Sequence, residues 1–142
     1  MQLSTYLGSA WINVNIPQGT TPTLPVSQGN VKTWMEQAMS ITGIPLTYEN
    51  DLMTICYYES SYNANAINLW DSNALAGHPS KGLMQVIQPT FDKYRNVNLV
   101  NNIYDPVANI VAAINYMKAR YGSVANVPGI RSLESGHGYI GY

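Results

Sequence analysis

The sequence of 142 residues is long enough for one domain with a single hydrophobic core, and 46% of its residues are hydrophobic whereas only 11% are charged. The net charge is −1 and the seven lysines and arginines are scattered from Lys32 to Arg131, so no basic cluster would neutralise phosphates and nucleic acid is not expected as a partner. No apolar run approaches the ~18 residues of a membrane span, and the N-terminus lacks the basic start of a secretion signal, so we expect no membrane insertion.

The aromatic residues are mostly tyrosine and tryptophan, with eleven Tyr and three Trp against one Phe. These side chains combine a flat apolar face with a hydrogen-bonding tip, which suits carbohydrate-binding grooves and also ordinary half-buried surfaces. The lone Cys56 cannot form an internal disulfide, and His78 and His137 complete no recognisable metal-ligand spacing. We therefore expect neither a disulfide nor a metal site.

Residues 1–29 carry no charge, and the stretch "IPQGTTPTLPVSQG" contains three prolines among Gly, Thr and Ser. Such a composition cannot form a regular helix. The sequence predicts a linker or N-terminal arm over 1–29 and a domain over 30–142, with its core at about 31–122.

The segment "NVKTWMEQAMSITGIP" predicts the first helix, with Asn30 as N-cap, Gly43 as the stop and Pro45 beyond it. Its apolar residues share one helical stripe: Val31, Trp34, Met35, Ala38, Met39 and Ile41.

A second helix is predicted from Thr47, because acids in its first turn suit the helix dipole. Its apolar stripe runs through Tyr48, Leu52, Ile55 and Cys56. Three residues after Cys56 the same stripe reaches Glu59, near the C-terminal end of the helix.

From Ser60 to Ser80 the sequence is rich in Asn, Ser and Gly and has no period, which predicts a long ordered loop. "GLMQVI" is compatible with a short strand or a turn of helix, and "QPTFDKYR" predicts a short helix from Pro89. "DPVANIVAAINYMKARYG" predicts a strong helix, capped by Asp105 and ended by Gly122. Its apolar stripe repeats at helical spacing through Val107, Ile110, Ile114, Met117 and Tyr121.

The remaining tail, "SLESGHGYIGY", is rich in glycine and ends abruptly, which is typical of a flexible terminus or of a cut inside a longer protein. With at least three helices and no convincing sheet, the fold class is mainly α.

Glu59 is the candidate for acid chemistry. Burial on an apolar stripe and the negative end of the helix dipole would both raise its pKa, and a carboxyl that stays protonated can give a proton to a sugar oxygen. The alternative is that Glu59 merely ends the stripe and reaches water. Asp71, in the following loop, is the remaining candidate for a second carboxylate, or else it stabilises the loop through backbone hydrogen bonds.

Three stretches, "ESSYNANAIN", "GLMQVIQPTF" and "DPVANIVAAINYMKARYG", resemble in this order the lytic transglycosylase (SLT) domain, in the version found in phage tail tape-measure proteins. The resemblance covers roughly Val31 to Gly122. It implies a lysozyme-like helical fold with a substrate groove and long polar loops. It also implies that the partner is the glycan strand of peptidoglycan and that the domain needs no metal and no cofactor. The isolated domain would be a monomer, and its place of action would be extracellular or virion-associated, at the bacterial cell wall.

The resemblance implies that Glu59 protonates the bond between N-acetylmuramic acid and N-acetylglucosamine and then acts as base while the C6 hydroxyl attacks. The product would be a 1,6-anhydro sugar, formed without water. Internal attack makes a second protein carboxylate dispensable.

The resemblance also indicates residues that contact the substrate: Ser60, Asn68, Ser80, Met84, Gln85 and Tyr116, with Asp71 added for its place in the loop. Each has an alternative role: Gln85 as a buried amide, Met84 and Tyr116 in packing, and the small polar residues and Asp71 in loop ordering. The family's Ala-Tyr-Asn motif does not occur here, and Tyr139 or Tyr142 is a candidate for the tyrosine that follows the last helix in the family.

Three further functions remain as alternatives. The first is a muramidase that uses water positioned by Asp71, and the second is a wall-binding module without turnover. The third is a structural segment of a tail or secretion machine.

Overall fold

The computed structural model describes residues 28–142, with side chains from Asn30 onward, so all but the last two residues of the predicted arm lie outside the described part of the chain. The described part is mainly helical, as predicted, and contains no named strand. It has two short 3-10 turns, Leu46–Tyr48 and Val124–Asn126. Its α-helices are α1 (Gln28–Thr42), α2 (Glu49–Ser60), α3 (Ser72–Leu75), α4 (Gln88–Tyr94), α5 (Pro106–Tyr121) and α6 (Pro128–Glu134).

Helix α5 is the centre of the core and packs against α1 and α4. It begins as predicted, because the Asp105 side chain accepts a hydrogen bond from the Ala108 N–H and Pro106 stands in the first turn. Gly122, at φ 80°, ends it. The predicted stripe is buried at Ile110, Ile114 and Met117, with Val107 and Tyr121 half-buried.

Helix α1 differs from the prediction at its start. It includes Gln28, so Asn30 lies inside the helix and is not its N-cap. Gly43, at φ 75°, follows the end of the helix as predicted. The stripe is buried except at Ile41, which is 44% exposed, because it falls in the last turn, beyond the core.

Helix α2 begins at Glu49, after a 3-10 turn that takes in the predicted start at Thr47. Its buried face includes Leu52, Ile55 and Cys56, which have no exposed surface. Glu59 lies in the last turn, and the left-handed conformation of Ser61 ends the helix.

The "GLMQVI" segment is neither strand nor helix. Lys81 and Val86 exchange two backbone hydrogen bonds of 2.9 and 3.0 Å and enclose a tight turn over residues 82–85. The polar loop before it contains α3, which the aperiodic sequence did not predict. Helix α4 begins at Gln88, one residue before the predicted start.

The core continues beyond Gly122, which corrects the predicted limit of about 31–122. Val124, Val127 and Ile130 are buried, the last of them on α6, a helix that the sequence analysis missed. The chain end returns over α6, where the Gly129 N–H donates to the carbonyl of Gly141 over 2.7 Å. The predicted flexible tail is therefore packed on the domain. Within residues 28–142, no helix has the length and hydrophobicity needed to cross a membrane.

Candidate active site

Glu59 projects from the last turn of α2 as a half-buried carboxyl group. Its Oε2 accepts a hydrogen bond of 2.5 Å from the hydroxyl of Tyr139. Burial raises the pKa of Glu59, the direction predicted from the sequence, and the hydrogen bond from Tyr139 opposes this shift in part. A carboxyl in this state retains its proton to a higher pH than an exposed glutamate.

A cavity of about 280 Å³ opens beside Glu59. The loop before the turn, the turn itself, α4, α5 and the chain end all contribute to its wall. The lining residues are Glu59, Asp71, Asn73, Ser80, Gln85, Val86, Ile87, Thr90, Ala113, Tyr116, Ile140, Gly141 and Tyr142. Five of the predicted site residues thus meet in one place: Glu59, Asp71, Ser80, Gln85 and Tyr116.

Three predicted contact residues do not line this cavity. The Ser60 hydroxyl donates to the carbonyl of Cys56 within α2. The Asn68 side chain accepts hydrogen bonds of 3.0 Å from the backbone of Trp70 and Asp71, which is a loop-ordering role. The Met84 side chain is fully buried and packs in the core.

Two of the lining residues also have structural contacts. Asp71 caps α3, because its Oδ1 accepts from the Ala74 N–H at 2.9 Å. The Gln85 amide nitrogen donates to the carbonyls of Ala66 and Gly82 at 3.2 and 3.0 Å, and its backbone is left-handed at φ 52°. Both residues therefore border the cavity and order the loops around it.

Asn109, on α5, holds the turn at residues 82–85 in place. It has no exposed surface; its Oδ1 accepts from the Met84 N–H at 2.8 Å and its Nδ2 donates to the carbonyls of Lys81 and Ile103 at 3.0 and 2.8 Å. A Cβ on Gly82 would lie 2.4 Å from this nitrogen, so the close approach requires glycine. The sequence analysis missed Asn109, although a polar residue between Ala108 and Ile110 on a buried helix was a usable signal.

The chain end supplies two tyrosines to the site. Tyr139 contacts the acid directly, and the Tyr142 hydroxyl donates to the carbonyl of Met84 over 2.5 Å. Burial and the charge of Glu59 raise the pKa of Tyr139, so its phenol keeps its proton and remains a donor. Tyr139 thus contacts the acid, and Tyr142 contacts the turn over residues 82–85.

The described residues contain no group of three or more His, Cys, Asp or Glu side chains that could hold a metal ion. Burial raises the pKa of Cys56 to about 12, so this thiol is not a nucleophile at neutral pH. The chemistry available at the cavity is that of carboxyl, phenol, hydroxyl and amide groups.

Residues 33–138 match the family described as "Transglycosylase SLT domain". The chain belongs to this family. The match extends past Gly122 and includes α6, in agreement with a core that continues to the chain end. Membership of the SLT family implies peptidoglycan as the substrate and a transglycosylase-type activity in general.

The SLT domain is also similar to a protein of Bacillus subtilis (strain 168) named "Uncharacterized protein YqbO", with 54% identity over 114 residues. The alignment takes in 80% of this chain but only 7% of that protein. The chain thus spans a small part of the length of this relative. No solved structure matches this chain.

Proposed function

We propose that this SLT domain is a peptidoglycan lytic transglycosylase in which Glu59 is first the general acid and then the base. The observation that carries the proposal is the half-buried Glu59 carboxyl at a cavity, with a pKa raised by burial and a phenol as its hydrogen-bond donor. A general acid works best when its pKa lies near the operating pH. Burial moves Glu59 in that direction.

In the first step the Glu59 carboxyl gives its proton to the glycosidic oxygen between N-acetylmuramic acid and N-acetylglucosamine. The bond from this oxygen to the muramic C1 breaks, and the carbonyl oxygen of the muramic N-acetyl group bonds to C1. The N-acetylglucosamine chain leaves with a free C4 hydroxyl, and Glu59 is left as a carboxylate that the Tyr139 hydroxyl stabilises.

In the second step the Glu59 carboxylate takes the proton from the muramic C6 hydroxyl. The C6 oxygen attacks C1 and displaces the N-acetyl oxygen, which closes the 1,6-anhydro ring and regenerates the acid. The nucleophile belongs to the substrate, so its effective concentration is high and no water is consumed.

A muramidase reaction is the second candidate, because Asp71 lines the same cavity as Glu59. Two carboxyl groups across a scissile bond are what hydrolytic glycosidases use. One oxygen of Asp71 caps α3, which favours a structural role but leaves the second oxygen for water.

Mass spectrometry of murein digested by the chain separates these candidates. The transglycosylase yields 1,6-anhydromuramic ends, and reducing ends alone would refute it in favour of the muramidase. A chain that binds murein and yields neither product would be a wall-binding module. Asp71→Asn should leave the yield of anhydro ends nearly unchanged if the substrate supplies its own nucleophile.

We further propose that the domain acts outside the producing cytoplasm, as the wall-opening part of a longer phage tail or other wall-penetrating protein. The similarity to a small part of a much longer relative supports only that the domain is one part of a longer protein. Lysis of purified cell walls by the isolated chain would exclude a purely structural role, and immunodetection of the parent protein in purified virions or the culture medium would test its location.

A further inference from the structure

Two neighbouring tyrosines at the end of α2 face solvent next to the acid. Among the tyrosines of residues 28–142, only Tyr57 and Tyr58 are exposed, at 52% and 50%. They immediately precede Glu59 in the chain. Two adjacent exposed aromatic side chains form a contiguous patch, and a contiguous exposed apolar patch is a candidate binding surface.

Ring contacts hold these side chains in place. Tyr58 is stacked on Tyr139 with ring centroids 4.8 Å apart and an interplanar angle of 9°. Tyr57 meets the Tyr58 ring edge-on at 5.4 Å and also contacts the Tyr62 ring at 5.7 Å. Beneath this layer, a Cβ on Gly129 would come within 2.3 Å of the Tyr139 ring, so the stack rests directly on α6. The surface is therefore preorganised.

Tyr58 reaches the acid through Tyr139, but neither Tyr57 nor Tyr58 lines the cavity beside Glu59. The cavity measures about 280 Å³, below the ~300–1,000 Å³ of pockets that enclose a whole small ligand. A polymer strand that passes Glu59 must continue over the neighbouring surface. The Tyr57 and Tyr58 rings are an exposed part of that surface that ring contacts hold in place.

The chemistry of this surface fits a neutral sugar. From Tyr57 to Trp70 the chain has no charged side chain apart from Glu59, so an anionic or cationic ligand finds no counter-charge on this segment. A flat ring with a phenolic tip offers an apolar face to the C–H side of a pyranose and a hydrogen-bonding group to its hydroxyls. One face of Tyr58 is covered by Tyr139, and the residue is still 50% exposed, so part of its ring is available to a ligand.

We propose that Tyr57 and Tyr58 form a sugar-binding platform next to Glu59 and outside the cavity lining, with the exposed ring of Tyr58 stacked on a pyranose ring of the glycan strand. This inference rests on the proposed function for the identity of the strand. It assigns Tyr58 to substrate affinity and not to the chemical step.

The test compares Tyr58→Ala with Tyr58→Phe, which keeps the ring. Val97→Ala is the control, because Val97 is 76% exposed and does not line the cavity. Affinity is measured by calorimetry with a hexamer of N-acetylglucosamine, in the Glu59→Gln background to prevent turnover. The KM and kcat of each variant with native Glu59 are measured on peptide-free murein strands.

Loss of one stacked ring should weaken hexamer binding and raise KM about 2- to 10-fold in Tyr58→Ala, with kcat and its pH dependence unchanged. Tyr58→Phe should lose less affinity than Tyr58→Ala because it keeps the stacking ring, and Val97→Ala should match the parent. If Tyr58→Ala does not fold, Tyr58→Leu takes its place with the same expectation, since it covers Tyr139 without an aromatic face.

Unchanged affinity and KM in an enzyme that still cleaves murein would overturn the platform. A fall in kcat with a displaced pH profile and an unchanged KM would also overturn it, because Tyr58 would then act through Tyr139 on the acid. If the parent yields no anhydro ends but Tyr58→Ala still weakens hexamer binding, the proposed function fails and the platform stands.

Discussion

The hydroxyl of Tyr139 donates a hydrogen bond of 2.5 Å to Oε2 of Glu59, although the two residues are 80 positions apart in the chain. The contact places the acid from α2 and a phenol from the chain end in one site. Tyr139 keeps its proton because burial and the neighbouring carboxylate raise its pKa. The state of the acid therefore depends on whether the chain end is in place.

Glu59→Gln should lower murein cleavage by about 10²–10⁴-fold, the usual contribution of a general acid or base, while the fold is retained. Glutamine has nearly the same shape but cannot give or take the proton. Anhydro product formation is the measurement, and circular dichroism confirms folding. A variant that cleaves as fast as the wild type would remove Glu59 from the mechanism.

The same variant should change the pH dependence of stability. Because burial raises the pKa of Glu59 above its ordinary value of 4.5, the unfolded chain loses this proton more readily than the folded one. The stability of the wild type therefore falls as the pH rises from about 4.5 through the raised pKa. Thermal unfolding between acid and neutral pH should show Glu59→Gln gaining stability relative to wild type as the pH rises, and a constant difference would argue against the raised pKa.

Tyr139→Phe should move the pH profile of activity. The hydrogen bond from Tyr139 lowers the pKa of Glu59 by stabilising its carboxylate, so its loss raises that pKa further. The acid must be protonated to act, and the decline of kcat/KM at high pH should therefore shift to higher pH. Phenylalanine retains the ring stacked on Tyr58, which keeps packing nearly constant. If the decline of kcat/KM at high pH is unchanged or moves to lower pH, Tyr139 does not lower the pKa of the acid as assigned.

Gly129→Ala should reduce activity because it displaces the chain end that carries Tyr139. Its Cβ would lie 2.3 Å from the Tyr139 ring and 2.8 Å from the Gly141 carbonyl, so the segment that carries Tyr139 must move. Overpacking of this kind costs about 1–3 kcal/mol. Gly138→Ala is the matched control, because a Cβ there meets nothing within 4 Å. Murein turnover and urea unfolding are measured for both variants. Equal turnover of Gly129→Ala and Gly138→Ala would mean that activity does not depend on the position of Tyr139.

Asn109→Ala should destabilise the domain by about 2 kcal/mol or more, since it leaves the buried Met84 N–H and Ile103 carbonyl without a partner, whereas the Lys81 carbonyl still accepts from the Val86 N–H. It should also lower activity by releasing the turn that carries Gln85. Asn115→Ala serves as a comparison, because Asn115 is partly buried and makes one hydrogen bond of 3.0 Å, to the Tyr94 carbonyl. Similar unfolding free energies for the two variants would show that Asn109 does not hold the turn.

The sequence alone was sufficient to predict the helices whose start and stop signals lie within the same segment. The helix from Asp105 to Gly122 was predicted with its cap and stop, because a capping carboxylate, a proline in the first turn and a glycine at the end act within the same segment. The apolar stripe of α2 likewise placed Glu59 at the C-terminal turn. The mainly helical class and the SLT resemblance followed from these segments and their order.

The tertiary structure decided the remainder of the site. Helix α6 has a local signal, Pro128 in its first turn, but is only seven residues long. The glycine-rich tail after it has little local preference, so nothing nearby in sequence indicates that the chain end packs over α6. Substrate contact was predicted for Asn68 and Met84 beside loop ordering and packing as their alternatives, and their surroundings depend on which loop or core element closes over them. Glu59 stands at the end of a helix in the sequence, and only the folding of the chain end onto that helix gives it Tyr139 as donor and the tyrosines beside it as a surface. The physical reason is that packing and hydrogen bonding between distant segments depend on the whole chain, whereas helix signals act over a few residues.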